Sequence, residues 1–107
     1  MIVYRLEDKN ERGPFGFMAE WPKDYTGDAS IHNREGCTVV GIPEIGYRKW
    51  RFGCRNITQL KKYWGGEIEK FEREGWVIAK YKVRKNFIKF GTKDIELAFN
   101  IDKAIRL

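Results

Sequence analysis

Two acidic residues near the end of the sequence, Asp94 and Glu96, have a spacing that could support acid–base chemistry. They lie in KDIELAF (93–99), where an apolar residue at every second position is typical of a half-buried strand. Residues two apart on a strand share a face, so the two carboxylates would lie side by side. The fifteen residues before Lys93 contain no acidic residue. The pattern is compatible with a catalytic pair, with ionic partners of nearby cations, or with an ordinary solvated strand face.

Cations and aromatic residues are interleaved in GYRKWRFGCR (46–55). Cationic side chains attract phosphates, and aromatic side chains stack on bases or anchor protein interfaces. The segment therefore predicts a surface that binds single-stranded nucleic acid, a nucleotide or a protein. The structural alternative is that Trp50 and Phe52 fill the core. The candidate binding residues in this segment are Arg48, Trp50, Arg51 and Arg55.

The segment WVIAKYKVR (76–84) predicts a strand with one basic face. Lys80, Lys82 and Arg84 share that face and are further candidate binding residues for an anionic partner. Two structural alternatives exist. In the first, the lysines protect an edge strand from pairing with other sheets. In the second, they form cross-strand pairs with acidic residues. We expect this strand to lie beside the one that carries Asp94 and Glu96, and we favour this charge pairing as the reason for the two acids.

The other local patterns predict an α+β fold in a single domain spanning residues 1–107. Alternation over residues 2–7 indicates an N-terminal strand. Asn56 followed by Gln59 indicates the start of a helix that Gly65-Gly66 ends, with Ile57, Leu60 and Trp64 on one face. A second helix covers 67–75 and places Ile68 and Phe71 inward. We expect an antiparallel sheet, formed by the N-terminal strand and a C-terminal hairpin (87–90 with 94–99), to pack against these two short helices.

Three segments in the first half have weaker patterns. Residues 18–36 show neither helical nor strand periodicity, which indicates a long loop. CTVVGI (37–42) is consistent with a short buried strand, and 43–53 is predicted to be a loop. At the other end of the chain, we expect the tail NIDKAIRL to dock through Ile101 and Ile105.

Charge is distributed unevenly along the 107 residues, whose formal net charge is +6. Residues 1–45 carry five basic and eight acidic side chains, whereas residues 46–107 carry sixteen and seven. Such asymmetry favours an anionic partner for the second half, and solubility is the plain alternative. No apolar run has the length of a membrane span, and the first residues lack a signal peptide's apolar core, so we expect a cytoplasmic protein.

The sequence lacks the residues of several common kinds of active site. Ser30 is the single serine and has no nucleophile-elbow motif around it, and the P-loop pattern is absent. Cys37 and Cys54 with His32 do not provide the ligands of a structural metal site. We therefore expect no metal, no cofactor and no disulfide framework.

Short motifs resemble a group of small phage and prophage accessory proteins. These motifs are VYRLE and GPF near the start, then RFGCRNITQLKKYW, FEREGWVIAKYKV and GTKDIELAF. They cover residues 2–15 and 51–99. The resemblance implies a phage accessory gene product, and proteins of this kind and size often counter host defences, as anti-CRISPR proteins do.

A second resemblance is to the ADP-ribosyltransferase fold, through the first strand and DIELAFNIDKAIRL. It implies that Arg5 would hold the phosphates or ribose of NAD. It also implies that Asp94 would engage the acceptor and that Glu96 would stabilise an oxocarbenium-like transition state. The match lacks a serine in FGCRNIT and an extended NAD-binding loop, so loss of activity is an alternative within this resemblance.

We thus predict a non-enzymatic phage protein that binds and inhibits a host-defence protein or ribonucleoprotein complex in the host cytoplasm. Its binding surface would be the basic, aromatic-rich face described above. The alternatives are a nucleic-acid- or nucleotide-binding module, and an active or degenerate ADP-ribosyltransferase-like enzyme.

Overall fold

The computed structural model describes residues 1–13, 49–91 and 96–107. Six strands and two α-helices occur in these ranges, which confirms the predicted α+β class. The strands are β1 (Ile2–Glu7), β2 (Trp50–Gly53), β3 (Val77–Val83), β4 (Ile88–Phe90), β5 (Leu97–Asn100) and β6 (Ala104–Arg106). The helices are α1 (Ile57–Trp64) and α2 (Glu67–Arg73), and single 3-10 turns cover Lys85–Phe87 and Ile101–Lys103.

The strands form two antiparallel sheets of three strands each. Sheet A has the order β1-β3-β6, and sheet B has the order β2-β5-β4. The predicted hairpin of β4 and β5 exists, and it lies in sheet B, whereas the N-terminal strand lies in sheet A. Two 2.8 Å backbone hydrogen bonds between Tyr4 and Cys54 join the sheets. Gly53 permits this approach, because a Cβ there would lie 2.8 Å from the Tyr4 carbonyl oxygen.

Two apolar clusters hold the fold together. Residues of β1, β3, β4 and β5 form the first cluster, in which the Tyr81 and Phe99 rings lie 5.2 Å apart. The second cluster lies under the helices and includes Leu6, Leu60 and Phe71. Sheet A therefore packs on sheet B through one face and on the helices through part of the other.

Local signals for the helices are confirmed. The Asn56 side chain accepts a 2.8 Å hydrogen bond from the backbone N–H of Gln59, as expected of a helix cap. Gly65 and Gly75 have φ values of 60° and 90°, which only glycine adopts readily. Ile57 was expected on the buried face and is instead 37% exposed, because it is the first residue of α1.

Three other expectations are wrong. Residues 50–53, predicted as loop, form β2. The strand β5, predicted to be half-buried, is the central strand of sheet B, and both Ala98 and Phe99 are fully buried. The tail at 104–106 is a strand of sheet A, and Ile105 is 64% exposed, whereas Ile101 packs against the first apolar cluster as expected. The predictions for 18–36, 37–42 and 43–48 lie outside the described residues.

Candidate functional site

The outer face of sheet A presents two lysines in cross-strand rows with apolar residues. Lys82 lies between Ile2 on β1 and Ile105 on β6, and Lys80 lies opposite Tyr4. Leu107 continues the second row, because its backbone N–H donates a 2.9 Å hydrogen bond to the Lys80 carbonyl oxygen. We call this surface the lysine face; it consists of Ile2, Tyr4, Lys80, Lys82, Ile105 and Leu107.

Neither α1 nor α2, the helices of the described residues, covers the lysine face, because both pack at one end of sheet A. Leu6 is buried in the helical cluster, and Tyr4 and Ile78 pack against it. Beyond them, Lys80 and Lys82 are exposed, as are Ile105 (64%) and Leu107 (62%). The Lys80 ammonium lies 5.9 Å from the centre of the Tyr4 ring. The face thus combines exposed apolar residues with two cations.

The expected charge pairing across the sheet is wrong. The neighbours of β3 are β1 and β6, so the strand that follows Glu96 lies in the other sheet. Within residues 1–13, 49–91 and 96–107, Lys80, Lys82 and Arg84 form no ion pair. Arg84 is exposed at the end of β3. Asp94 lies outside the described residues.

The predicted binding residues of segment 46–55 occupy several surfaces. Trp50 is half-buried, and the Lys89 ammonium lies 5.9 Å from its ring centre. Arg51, the next residue on β2, extends to the opposite face, where its Nη1 atom donates a 3.0 Å hydrogen bond to the Trp50 carbonyl oxygen. The Arg55 guanidinium lies 5.5 Å from the Phe90 ring centre. Arg48 lies outside the described residues.

Arg5 belongs to a buried charge cluster between β1, β3 and β6. Its Nη1 atom lies 3.3 Å from the Glu7 carboxylate, and Glu7 is fully buried. The Tyr81 hydroxyl donates a 2.6 Å hydrogen bond to Glu7, and Arg106 Nε donates a second of 3.4 Å. Burial lowers the pKa of Arg5, and the charge of Glu7 opposes that shift. This arrangement gives Arg5 a partner within the protein.

Sequence reasoning did not identify Glu7 as an interior residue. The sequence signal for its burial was its position in β1. Val3, Arg5 and Glu7 are two residues apart and so share the face that packs against sheet B. Two charged residues on an otherwise apolar face require partners. The partners come from strands more than 70 residues away, which local patterns do not reveal.

Glu96 is also buried, with 7% of its surface exposed. Burial raises its pKa to about 7, and a hydrogen bond from the Tyr63 side chain on α1 opposes this increase. Arg5 and Glu96, which the ADP-ribosyltransferase resemblance assigns to one site, therefore have different partners in the structure. Their catalytic roles stay a prediction.

The described part of the chain adds two general observations. It contains no cluster of three or more His, Cys, Asp or Glu residues arranged to hold a metal ion. None of its helices has the length and apolar character needed to cross a membrane.

Comparison with known proteins gives a family assignment. No curated protein and no solved structure is significantly similar to the chain. One family model, described as the bacteriophage T4 Y00F protein, matches residues 1–107. The match spans the whole sequence, including both sheets, the two helices and the lysine face. The chain therefore belongs to the bacteriophage T4 Y00F protein family and is a phage protein.

Proposed function

We propose that this phage protein binds and inhibits a host-defence component in the host cytoplasm, using the lysine face and the adjacent Arg84. One observation carries the proposal: the exposed lysines Lys80 and Lys82 lie beside the exposed residues Ile105 and Leu107, on a part of sheet A that neither of the described helices covers. The family supports the phage context of the proposal.

The chemistry of the lysine face favours a protein partner with an acidic surface. Ile105 and Leu107 are exposed large apolar residues, and burying them would release free energy on binding. Lys80, Lys82 and Arg84 would select an acidic partner and increase the association rate. The formal net charge of +6 acts in the same direction over longer distances.

The proposal is tested by capture of host proteins with two charge-matched variants. The first variant is Lys80→Glu/Lys82→Glu/Arg84→Glu. The control is Lys9→Glu/Lys61→Glu/Lys62→Glu, three exposed lysines on other surfaces. Each variant lowers the formal net charge from +6 to zero, so the two variants differ in where the substituted residues lie and not in total charge.

The wild type and the control should retain the same host protein and should protect phage growth on a defended host. The lysine-face variant should lose both effects while its circular dichroism stays unchanged. The proposal is wrong if the lysine-face variant retains the host protein as well as the control does.

Nucleic-acid binding is the second candidate, and the contact between Trp50 and Lys89 favours it. A half-buried indole beside an ammonium group can stack on a base while the cation contacts a phosphate. The anisotropy of a labelled single-stranded oligonucleotide would then rise with protein concentration, and log K would fall steeply with log salt. Trp50→Ala and Lys89→Ala should weaken this binding, whereas Lys80→Glu/Lys82→Glu/Arg84→Glu tests the lysine face in the same assay. No binding at low salt would remove this candidate.

A further inference from the structure

We infer that β6 accepts an extended acidic segment of the partner protein as an additional strand of sheet A. This inference rests on the proposed function, because the added strand would lie next to the lysine face. It specifies how the partner docks and what its contacting segment contains. In the order β1-β3-β6, β6 is one of the two edge strands.

The hydrogen-bond pattern of β3 and β6 shows which backbone groups of β6 point outward. The Leu107 N–H donates to the Lys80 carbonyl oxygen, so this residue pair is a hydrogen-bonded one. Because such pairs alternate along an antiparallel ladder, the Lys82 and Ile105 pair is also hydrogen-bonded, and the Tyr81 and Arg106 pair is not. The backbone N–H and C=O of Arg106 therefore point away from β3.

By the same alternation, the backbone N–H and C=O of Ala104 also point away from β3. The Ala104 N–H, however, already donates a hydrogen bond to the Ile101 carbonyl oxygen of the preceding 3-10 turn. The outward groups of β6 are thus the Ala104 C=O together with the Arg106 N–H and C=O. Within the described ranges no further strand pairs with this edge. An incoming strand could bond to both groups of Arg106, the arrangement used in strand addition.

The side chains of β6 define the composition of the incoming segment. Ile105 is 64% exposed on the lysine face, so the neighbouring residue of an added strand should be apolar. Arg106 extends from the other face, where its Nε lies 3.4 Å from Glu7 and 3.7 Å from Glu11. Its side chain is 41% exposed, and a guanidinium has five N–H donors, so Arg106 can still bind a further carboxylate. The neighbour on that face should be acidic. A segment that alternates acidic and apolar residues meets both conditions.

A second copy of this chain fits the edge poorly. Antiparallel pairing of two β6 strands would bring the two Arg106 side chains together and would place two copies of the lysine face side by side. Like charges on neighbouring strands are destabilising. Charge complementarity therefore selects a different, acidic chain.

The test uses a short synthetic peptide of alternating glutamate and valine with blocked ends. Amide hydrogen exchange of the wild-type protein is measured by NMR with and without the peptide. Exchange of the Arg106 amide should slow by about tenfold or more at saturation, since a new hydrogen bond protects it. A peptide of alternating lysine and valine should give no such protection. An unchanged Arg106 amide at millimolar glutamate–valine peptide overturns the inference.

A pair of variants gives an independent result. Arg106→Pro removes the outward N–H and leaves the hydrogen bonds to β3 in place, a substitution that edge strands tolerate. Arg106→Ala is the control, because it also loses the side chain but keeps the N–H. The peptide should bind Arg106→Pro about tenfold more weakly than Arg106→Ala; equal affinities overturn the inference.

The peptide experiment requires no host protein, so its failure is distinct from failure of the proposed function. If the peptide leaves β6 unaffected but the lysine-face variant loses the host protein, the strand-addition mode is wrong and the proposed function stands. If the peptide protects Arg106 but the lysine-face variant retains the host protein, strand addition stands as a property of β6 and the proposed function is wrong.

Discussion

The hydroxyl of Tyr81 donates a 2.6 Å hydrogen bond to the carboxylate of Glu7, which has no exposed surface. This bond links β3 to β1 inside the protein, next to the ion pair between Arg5 and Glu7. Burial, together with the hydrogen bond to Glu7 and the charge of Glu7, raises the pKa of Tyr81 to about 12. The tyrosine therefore remains a donor throughout the neutral pH range, and sheet A is held by a charged cluster as well as by apolar packing.

Replacing Tyr81 with Phe should destabilise the protein. The substitution removes a donor from a fully buried carboxylate, and losing such a bond costs about 1–3 kcal/mol. Urea unfolding followed by circular dichroism measures the change. Tyr4→Phe is the control, because Tyr4 contacts Lys80 through its ring, and its free energy of unfolding should change by less than about 0.5 kcal/mol. Equal effects of the two substitutions would contradict a special role for the bond to Glu7.

Replacing Glu96 with Gln should change how stability depends on pH. The pKa of Glu96 is about 7 in the folded protein and near its ordinary value of 4.5 when unfolded. Between these values the folded state holds the proton more tightly, so wild-type stability should fall as pH rises from about 4.5 to 7. Glu96→Gln removes this contribution and should gain on the order of 2 kcal/mol relative to wild type at about pH 8, with little gain near pH 4.

The control for this experiment is Glu69→Gln on the exposed surface of α2. Its stability should depend on pH as that of wild type does, and a parallel profile for Glu96→Gln would contradict a buried, proton-binding Glu96.

The Glu96→Gln variant also tests the ADP-ribosyltransferase alternative. That alternative requires transfer of label from NAD to a host protein by wild type, and loss of the transfer in Glu96→Gln.

Gly53→Ala should be strongly destabilising. The added Cβ would lie 2.7 Å from Val3 Cγ1 and 2.8 Å from the Tyr4 carbonyl oxygen, and the backbone atom has little freedom to move. We expect a loss of about 2 kcal/mol or more and weaker protection of the Tyr4 amide in hydrogen exchange. Gly66→Ala serves as the comparison, because no atom would lie within 4 Å of its Cβ and its φ is −72°. Gly66→Ala should be neutral or stabilising by up to about 1 kcal/mol, and a comparable loss in both variants would refute the close-approach explanation.

Asn56→Ala should cost about 1 kcal/mol, because the Asn56 side chain caps α1 through the Gln59 N–H. Asn86→Ala is a suitable control, since Asn86 is exposed in the 3-10 turn after β3. Thermal unfolding of the two variants provides the measurement. A cap without energetic value would leave both melting temperatures at the wild-type value.

Sequence patterns predicted the elements whose signals are local. The cap at Asn56 and the stop at Gly65-Gly66 depend on neighbours within four residues, and both are present in the structure. The alternation in 76–84 likewise predicted that Lys80 and Lys82 would share an exposed face. Each of these predictions needs information about one segment of the chain alone.

Long-range relationships were not accessible in the same way. The pairing of β3 with β6 and of β5 with β2 depends on the whole chain, and so the charge partners assigned to Lys80 were wrong. The burial of Glu7 and Glu96 has the same origin, because residues on other elements cover them. A segment shows which side chains share a face, but it does not show what covers that face.

The order of strands in sheet A has a consequence for how the protein folds during synthesis. Strand β1 ends at residue 7, yet its partner β3 spans residues 77–83 and the next strand begins at residue 104. On the ribosome, β1 therefore cannot pair with β3 until residue 83 has emerged. The lysine face is complete only after β6 has also emerged. Contacts so distant in sequence slow folding, because a long loop must close before they form. We expect sheet A to assemble late, after α1 and α2 have already emerged.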